Sequence, residues 1–194
     1  RRYSIMHNME EKTIREKARE MKLASPHMAA VPEKTRNAAL EAIADALMTN
    51  KAAIMEENAK DMKAAEEKGI SAPVMKRLRF DDAKLADVLS GIKSLIGLPD
   101  PLNRQLLKRE LDSDLLLVKE SCPIGVIGVI FEARPDAMVQ VSTLCVKSGN
   151  CVILKGGSEA KLTNRKLFSV IRDAAVSAGL PASAMMLAET HDDI

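Results

Sequence analysis

The sequence predicts an α/β protein in which a helical segment precedes a parallel β-sheet. Two patterns carry this prediction. Apolar residues recur at the helical period through residues 32–97, and from Pro123 onward short apolar runs alternate with amphipathic stretches. A strand, helix, strand, helix and strand in this order imply a parallel sheet with right-handed crossovers.

The composition excludes several functional classes. The chain has 194 residues, 46% of them hydrophobic, which is enough to bury a core and too apolar for a disordered chain. Its 29 Lys and Arg residues nearly balance 27 Asp and Glu residues, and only 2% of the residues are aromatic. Both features argue against a nucleic-acid partner. Since no apolar run reaches about 18 residues, a membrane partner is not expected either.

The first residues carry no recognisable structural signal. Residues 1–8 lack Met at the start and the apolar core of a signal peptide. They are interpreted as a vector remnant or as the tail of an upstream segment. Residues 10–24 are predicted to form a solvated helix because their charges alternate in sign. Residues 9–100 together are expected to form an N-terminal helical part.

Four further helices are predicted before residue 100. In the helix that Pro32 begins, Leu40, Ile43 and Leu47 lie on one face at the 3.6-residue period. The other helices are predicted to start at Asn50, Ser71 and Asp81, with Asn50 and Asp81 as caps. Their apolar stripes indicate packing, because no side chains in them have catalytic spacing.

Residues 101–121 predict a β-hairpin. Gln105–Glu110 and Leu115–Glu120 are extended runs on either side of the polar turn 112–114. The first run has few apolar residues to bury within its own domain. The hairpin is therefore expected to be an arm that packs on another subunit or domain.

Residues 122–194 carry the βαβ pattern. Gly125–Phe131 and Cys151–Leu154 are apolar runs typical of strands buried on both faces. Helices are predicted from Pro135 to Gly149 and from Leu162 to Ala178, and the last strand at 184–187. Ligands of such sheets bind beyond the carboxyl ends of the strands, so the turns that follow the first two strands are the candidate sites.

The turn after the second strand is the stronger candidate. Lys155 could neutralise a phosphate, while Gly156 and Gly157 let the backbone approach a ligand closely. A helix starting at Ser158 or Glu159 would point its first N–H groups at that ligand, and Glu159 could accept hydrogen bonds from ribose hydroxyls. The alternative is a plain strand-to-helix connection, and the spacing is equally compatible with both.

The turn after the first strand is the second candidate. Phe131 and Glu132 end the strand, and Arg134 is held extended by the following Pro135. The Arg134 guanidinium could bind a carboxylate or a phosphate. Alternatively it pairs with Glu132 or Asp136 and only holds the turn, and spacing alone favours this second interpretation.

The cysteines and histidines form no recognisable reactive group. Cys122, Cys145 and Cys151 lie in apolar surroundings and are predicted to be buried, reduced side chains, which is typical of a cytoplasmic protein. The three histidines are His7, His27 and His191, too far apart in sequence to predict a metal site.

Two long motifs nevertheless resemble a known family. They are Pro123–Asp136 and Lys147–Ala160, supported by Asn58–Asp61 and Ala178–Pro181. They are similar to the γ-glutamyl phosphate reductases, or glutamate-5-semialdehyde dehydrogenases, within the aldehyde dehydrogenase superfamily. The resemblance runs from about Met9 to the end of the chain. It implies a Rossmann-type NAD(P)-binding sheet of the aldehyde dehydrogenase kind, with the helices before it belonging to the same cofactor domain.

The resemblance also implies an activity and roles for residues. The family reduces L-glutamate 5-phosphate to L-glutamate 5-semialdehyde with NADPH, a step of proline biosynthesis in which a cysteine displaces phosphate and forms a thioester. In this sequence Lys155 would face the 2′-phosphate of NADP, with Gly156, Gly157, Ser158 and Glu159 beside it. The cofactor would also pass over Phe131 and Glu132. There the turn is one residue shorter than in typical superfamily members, and Arg134 would meet the substrate.

Other implications concern what accompanies this chain. The family's nucleophilic cysteine lies in a later domain, so it is expected beyond Ile194, and the chain alone is expected to be inactive. A homo-oligomer is expected because a comparable hairpin joins subunits in aldehyde dehydrogenases. A functional link to glutamate 5-kinase, fused or separate, is implied by the substrate. Alternatives are an NADP-binding or interaction module without its catalytic half, and a helical scaffold with an unrelated α/β cap.

Overall fold

The computed structural model describes residues 13–189 and confirms the α/β organisation. The predictions for residues 1–8, His7 and His191, and the start of the first helix at residue 10, lie outside the described residues. Within them the helices are α1 (Ile14–Ala29), α2 (Glu33–Thr49), α3 (Lys51–Glu67), α4 (Ala72–Leu78), α5 (Asp82–Gly97), α6 (Pro135–Lys147) and α7 (Lys161–Ser177). The strands are β1 (Gln105–Asp112), β2 (Leu115–Glu120), β3 (Val126–Phe131), β4 (Cys151–Gly156) and β5 (Met185–Leu187).

Helix α1 differs from the solvated helix that its charges predict. A capping box starts it, because Thr13 Oγ1 accepts from the Glu16 N–H while the Glu16 carboxylate accepts from the Thr13 N–H. The helix then continues past residue 24 to Ala29. The reason is burial: Met21 and Met28 lie in the hydrophobic core, where α1 packs against β3 and β4. Only its outer face is solvated.

Local signals correctly predicted the boundaries of α2 to α5, with one difference at Asn50. Asp81 caps α5 as expected, since its carboxylate accepts from the Lys84 N–H at 3.0 Å. Asn50 lies at the start of α3, yet its side chain does not cap that helix. Its Nδ2 instead donates at 2.9 Å to Ala46 O, a carbonyl in the last turn of α2 that also accepts from the Asn50 N–H.

The hairpin forms as predicted, and both of its strands are exposed along their full length. Strands β1 and β2 pair antiparallel from Gln105 with Glu120 to Asp112 with Leu115. Several leucines on them point to solvent in this chain, among them Leu106 at 56% and Leu115 at 55% exposure. The hairpin has no hydrophobic core of its own.

The second sheet is parallel in the order β3-β4-β5. The prediction that β3 is buried on both faces is wrong: Gly128 is exposed and Ile130 is 68% exposed. Among the described residues β3 is the edge strand, and only one of its faces is covered by packing. In the middle strand β4, Cys151, Val152 and Leu154 are buried as predicted, while the other residues are partly buried. Phe131 pairs with Gly156, so the carboxyl ends of β3 and β4 lie side by side.

Two buried cations fix the helices behind the sheet. Arg36 on α2 donates to Asp100 and to the carbonyl of Lys147, the last residue of α6. The Lys147 ammonium, itself 3% exposed, donates to Asn37 Oδ1 at 3.0 Å and also contacts Glu33 and the Ile96 carbonyl. Since buried charges must be paired, these contacts hold α2, α5 and α6 in one arrangement. No helix within 13–189 is long and apolar enough to cross a bilayer.

Candidate functional site

A cleft of about 490 Å³ lies at the carboxyl ends of β3 and β4. This volume is within the range of roughly 300–1,000 Å³ that small-molecule sites occupy. Six predicted site residues line it: Glu132, Lys155, Gly156, Gly157, Ser158 and Glu159. The remaining two, Phe131 and Arg134, do not line it, although the Phe131 ring lies against Gly156. The two candidate turns therefore form one site.

Side chains lie close to both glycines of the Lys155 turn, and a Cβ at either position would force them to move. A Cβ on Gly156 would lie 2.1 Å from Nδ2 of Asn164, and a Cβ on Gly157 would lie 2.1 Å from Oε1 of Glu159. Distances this short are not tolerated by real side chains. Gly157 precedes a single 3₁₀ turn over Ser158–Ala160, after which α7 begins. The backbone is thus shaped around the side chains of Asn164 and Glu159.

Glu159 connects the two turns. Its carboxylate accepts a hydrogen bond from the backbone N–H of Ala133, which follows β3. Ala133 is buried and has φ of 44°, a left-handed conformation that needs such support in a residue other than glycine. One carboxylate oxygen of Glu159 is therefore engaged within the protein, and Oε2 stays available for a further contact.

Arg134 makes the contact that spacing alone favoured. Its guanidinium donates to Oδ2 of Asp136 at 3.0 Å, and Lys84 lies 3.4 Å from Oδ1 of the same carboxylate. Burial acts to raise the pKa of Asp136, but the hydrogen bond from Arg134 and the charges of Lys84 and Arg134 outweigh it and hold that pKa below its ordinary value. The Arg134 side chain is half exposed, so it could also reach a ligand beside the cleft.

Two N–H groups at the start of α7 are already hydrogen-bonded within the protein, whereas residues 158–160, where a helix was predicted to start, form a 3₁₀ turn. Asp61 of α3 accepts from the backbone N–H groups of Leu162 and Thr163, at 3.2 and 2.8 Å, and from the Thr163 hydroxyl at 2.6 Å. Asn58 donates to the same hydroxyl. The carboxylate of Asp61 takes the place that an anionic ligand would have at this helix end.

Basic side chains supply positive charge for an anionic ligand in the cleft. Lys155, Lys161 and Arg77 line it, and within residues 13–189 none of their side chains forms an ion pair. Three carboxylates also line it: Glu189 forms an ion pair with Arg165, Glu159 accepts from the Ala133 N–H, and Glu132 forms no ion pair within residues 13–189. The three unpaired cations thus outnumber the two carboxylates without an ion pair, Glu132 and Glu159, and this small positive excess favours a phosphorylated ligand.

The cysteines differ from the prediction at one position. Cys122 is exposed, because it lies in the loop before the edge strand β3. Burial raises the pKa of the Cys145 thiol to about 11, with a smaller contribution from Cys151, and burial also raises the pKa of Cys151. None of the three lines the cleft. The described residues contain no group of three or more His, Cys, Asp or Glu side chains arranged to hold a metal.

Sequence reasoning did not single out eight other residues that line the cleft: Ile70, Val74, Arg77, Lys161, Asn164, Leu187, Ala188 and Glu189. Ile70, Val74 and Arg77 reach it from α4 and the turn before it, and Asn164 reaches it from α7. Only Asn164 carried a signal. It stands three positions before Leu167 and seven before Ile171, so a polar residue occupies the buried stripe of an amphipathic helix.

Comparison with known proteins gives consistent results. A sequence model described as the aldehyde dehydrogenase family matches residues 3–193. The chain is 54% identical over 172 residues to a γ-glutamyl phosphate reductase of Ruminiclostridium cellulolyticum, covering 89% of this chain and 40% of that protein. It is 45% identical to one of Methanosarcina barkeri, covering 93% of this chain and 42% of that protein. The chain thus spans well under half the length of these curated relatives, in their N-terminal part.

Solved structures give the same result. The γ-glutamyl phosphate reductase of Saccharomyces cerevisiae superimposes with a TM-score of 0.88 at 34% identity, covering 94% of this chain and 47% of that one. The enzyme of Thermotoga maritima superimposes with a TM-score of 0.87 at 29% identity, covering 91% and 43%. A probable aldehyde dehydrogenase of Listeria monocytogenes, at 16% identity and a TM-score of 0.69, shares the fold.

Proposed function

The chain belongs to the aldehyde dehydrogenase family, and from that premise we propose that it is the cofactor-binding portion of a γ-glutamyl phosphate reductase. The reaction is the NADPH-dependent reduction of L-glutamate 5-phosphate to L-glutamate 5-semialdehyde, with release of phosphate, in proline biosynthesis. The observation that carries the proposal is the cleft beyond β3 and β4, where Lys155, Lys161 and Arg77 are free of ion pairs within the described residues.

The residues present fit the adenosine half of a nicotinamide nucleotide. Gly156 and Gly157 have no Cβ atoms that would displace Asn164 and Glu159, so these two side chains keep their places beside the cleft. Lys155 would hold the 2′-phosphate, with Ser158 beside it, and the free oxygen of Glu159 would accept from a ribose hydroxyl. Phe131 and Glu132 would lie under the rest of the cofactor. When bound, NADPH supplies the hydride that the reduction needs.

Arg134 would bind the substrate's phosphate or carboxylate. Its guanidinium is oriented by Asp136 and remains half exposed beside the cleft. A guanidinium held in one orientation can donate two parallel hydrogen bonds to an anion. The substrate is an acyl phosphate, so a kinase such as glutamate 5-kinase must supply it.

The nucleophilic cysteine would come from chain beyond Ile194. Cys145 and Cys151 are buried with raised pKa values, and Cys122 does not line the cleft. A thiol with a raised pKa is a poor nucleophile at neutral pH. The 194-residue chain would accordingly bind cofactor without turnover, and its three thiols without disulfides suit a cytoplasmic location.

The hairpin of β1 and β2 would join subunits into a homo-oligomer. Its exposed leucines form an apolar surface on an arm with no core of its own. Replacing Leu106 and Leu115 by Ser would then lower the oligomeric state measured by analytical ultracentrifugation. An unchanged sedimentation coefficient would exclude this role for the hairpin.

The cofactor proposal is tested by titrating the chain with NADPH and with NADH, following nucleotide fluorescence. Lys155→Ala should weaken NADPH binding more than NADH binding, because only NADPH carries the 2′-phosphate. Lys93→Ala, on an exposed face of α5, is the matched control and should change neither affinity. Equal losses for both nucleotides, or no binding by the unmodified chain, would contradict the proposal.

A further inference from the structure

Asn164 is a buried polar residue with an unmet hydrogen-bonding requirement. It lies on α7 and is only 3% exposed. Its Oδ1 is the one buried side-chain oxygen or nitrogen in residues 13–189 that has no hydrogen-bond partner. A buried carbonyl without a donor is destabilising, so such groups are rare unless a ligand or water completes them.

The side-chain amide of Asn164 lies at the cleft. Asn164 lines the cleft together with Lys155 and Gly156. Its Nδ2 occupies the space that a Cβ on residue 156 would need, at 2.1 Å. The strand end is therefore shaped to hold this amide beside the cleft, at the same turn that carries Lys155.

The neighbouring residue shows that the orphan oxygen is specific to Asn164. Thr163, one position earlier, is fully hydrogen-bonded through Asp61 and Asn58. Another buried asparagine, Asn150, uses its Oδ1 to accept from the Gly125 N–H and its Nδ2 to donate to Ser148. Leucine, of similar size, would fill the position of Asn164 without leaving any polar atom unpaired.

We infer that Asn164 is a further nucleotide-binding residue, whose buried side-chain amide turns on binding so that its oxygen accepts a hydrogen bond from the adenosine half of the cofactor. A carbonyl oxygen can only accept, so the ligand must present an O–H or N–H donor. The adenosine half of NADPH offers both, in its ribose hydroxyl and its adenine amine, while its phosphates offer neither. The inference rests on the proposed function of the cleft.

The test compares Asn164→Leu with the unmodified 194-residue chain. Without nucleotide, the midpoint of thermal unfolding should stay the same or rise, because the unpaired oxygen is gone. The dissociation constants for NADPH and NADH should both rise roughly tenfold, since the adenosine half is common to both. Asn164→Ser should weaken the binding of both nucleotides to the same extent, because the shorter serine hydroxyl cannot reach the position of the amide. This variant replaces Asn164→Leu if the leucine variant does not fold.

A control and the opposing outcomes separate this inference from the proposed function. Asn150→Leu removes partnered hydrogen bonds away from the cleft, so it should lower the unfolding midpoint and leave the affinity unchanged. Unchanged affinity in both Asn164 variants, with Lys155→Ala still weakening NADPH binding, would overturn the role of Asn164 alone. Absence of NADPH binding by the unmodified chain would overturn the proposed function and this inference with it.

Discussion

Glu159 and Ala133 join the two turns of the cleft through one hydrogen bond, from the Ala133 N–H to the Glu159 carboxylate. The two residues are 26 positions apart and follow neighbouring parallel strands. The bond supports the left-handed backbone of Ala133 and fixes the direction of the Glu159 side chain. The geometry of the floor of the site therefore depends on this contact.

Gly157→Ala should disturb that contact. The new methyl group would lie 2.1 and 2.4 Å from the two Glu159 carboxylate oxygens, so the side chain must move away from Ala133. We expect a weaker affinity for NADPH in fluorescence titration, with only a small loss of stability because the end of the Glu159 side chain can move at low cost. Gly91→Ala is the matched control: it has open space inside α5, and the same change should be neutral or stabilising there.

Asp61→Ala should destabilise the chain without touching the cleft. It removes the acceptor of three hydrogen bonds at the start of α7, two of them from backbone N–H groups. Since these donors are left without a partner, we expect a loss of about 2–3 kcal/mol in urea-induced unfolding. Asp87→Ala, on the exposed face of α5, should change stability by less than about 0.5 kcal/mol. Equal effects of the two substitutions would show that Asp61 does not cap α7.

The substitution Lys147→Met measures how much this buried cation contributes to the stability of the chain. The substitution leaves Asn37 and the Ile96 carbonyl without their donor. Methionine retains most of the side-chain volume, so packing is nearly preserved and the measured change reports the polar contacts. We expect a loss of about 3 kcal/mol in chemical unfolding, against almost none for Lys93→Met on an exposed helix face. An unchanged free energy of unfolding would mean that the cost of burying the ammonium group equals the stabilisation from its hydrogen bonds.

The buried thiol of Cys145 should make stability fall in alkaline solution. Burial raises the pKa of Cys145 to about 11, above the value of roughly 8.5 of an unfolded chain. Between these values the unfolded state loses its proton while the folded state keeps it, so the free energy of unfolding decreases as the pH rises. The contribution is fully present below pH ~8.5 and is lost by pH ~11, an expected change of about 3 kcal/mol.

Unfolding curves at a series of alkaline pH values measure this effect. Cys145→Ala removes the thiol, so its free energy of unfolding should fall less steeply with pH than that of the unmodified chain. An equal pH dependence in the two proteins would exclude the thiol as the cause.

Alkylation gives an independent check on burial. Cys122, which is exposed, should react in the folded chain, while Cys145 and Cys151 should react only after unfolding.

The sequence by itself determined those features that depend on neighbours along the chain. Pro32, Asp81 and Pro135 mark helix starts through their own backbone restrictions or through a bond to a residue three positions away. The alternation of apolar strands with amphipathic helices fixed a parallel sheet, and a parallel sheet brings the ends of β3 and β4 together. The resemblance to a family placed Lys155 and Glu132 against one cofactor, and the parallel sheet explains why their two turns line one cleft.

Only the tertiary structure decided the contacts made across the fold. Asp61 and Thr163 are 102 positions apart, so the sequence held no local sign that α3 would cap α7. Ile130 and Cys122 are exposed because β3 is the edge strand among the described residues. The apolar sequences of β3 and β4 do not indicate which of the two strands lies at the edge. The unpartnered oxygen of Asn164 exists because the side chains around it were placed by elements distant in sequence. Local preferences fix where elements begin and end, but which polar atoms remain unpaired is set by packing between them.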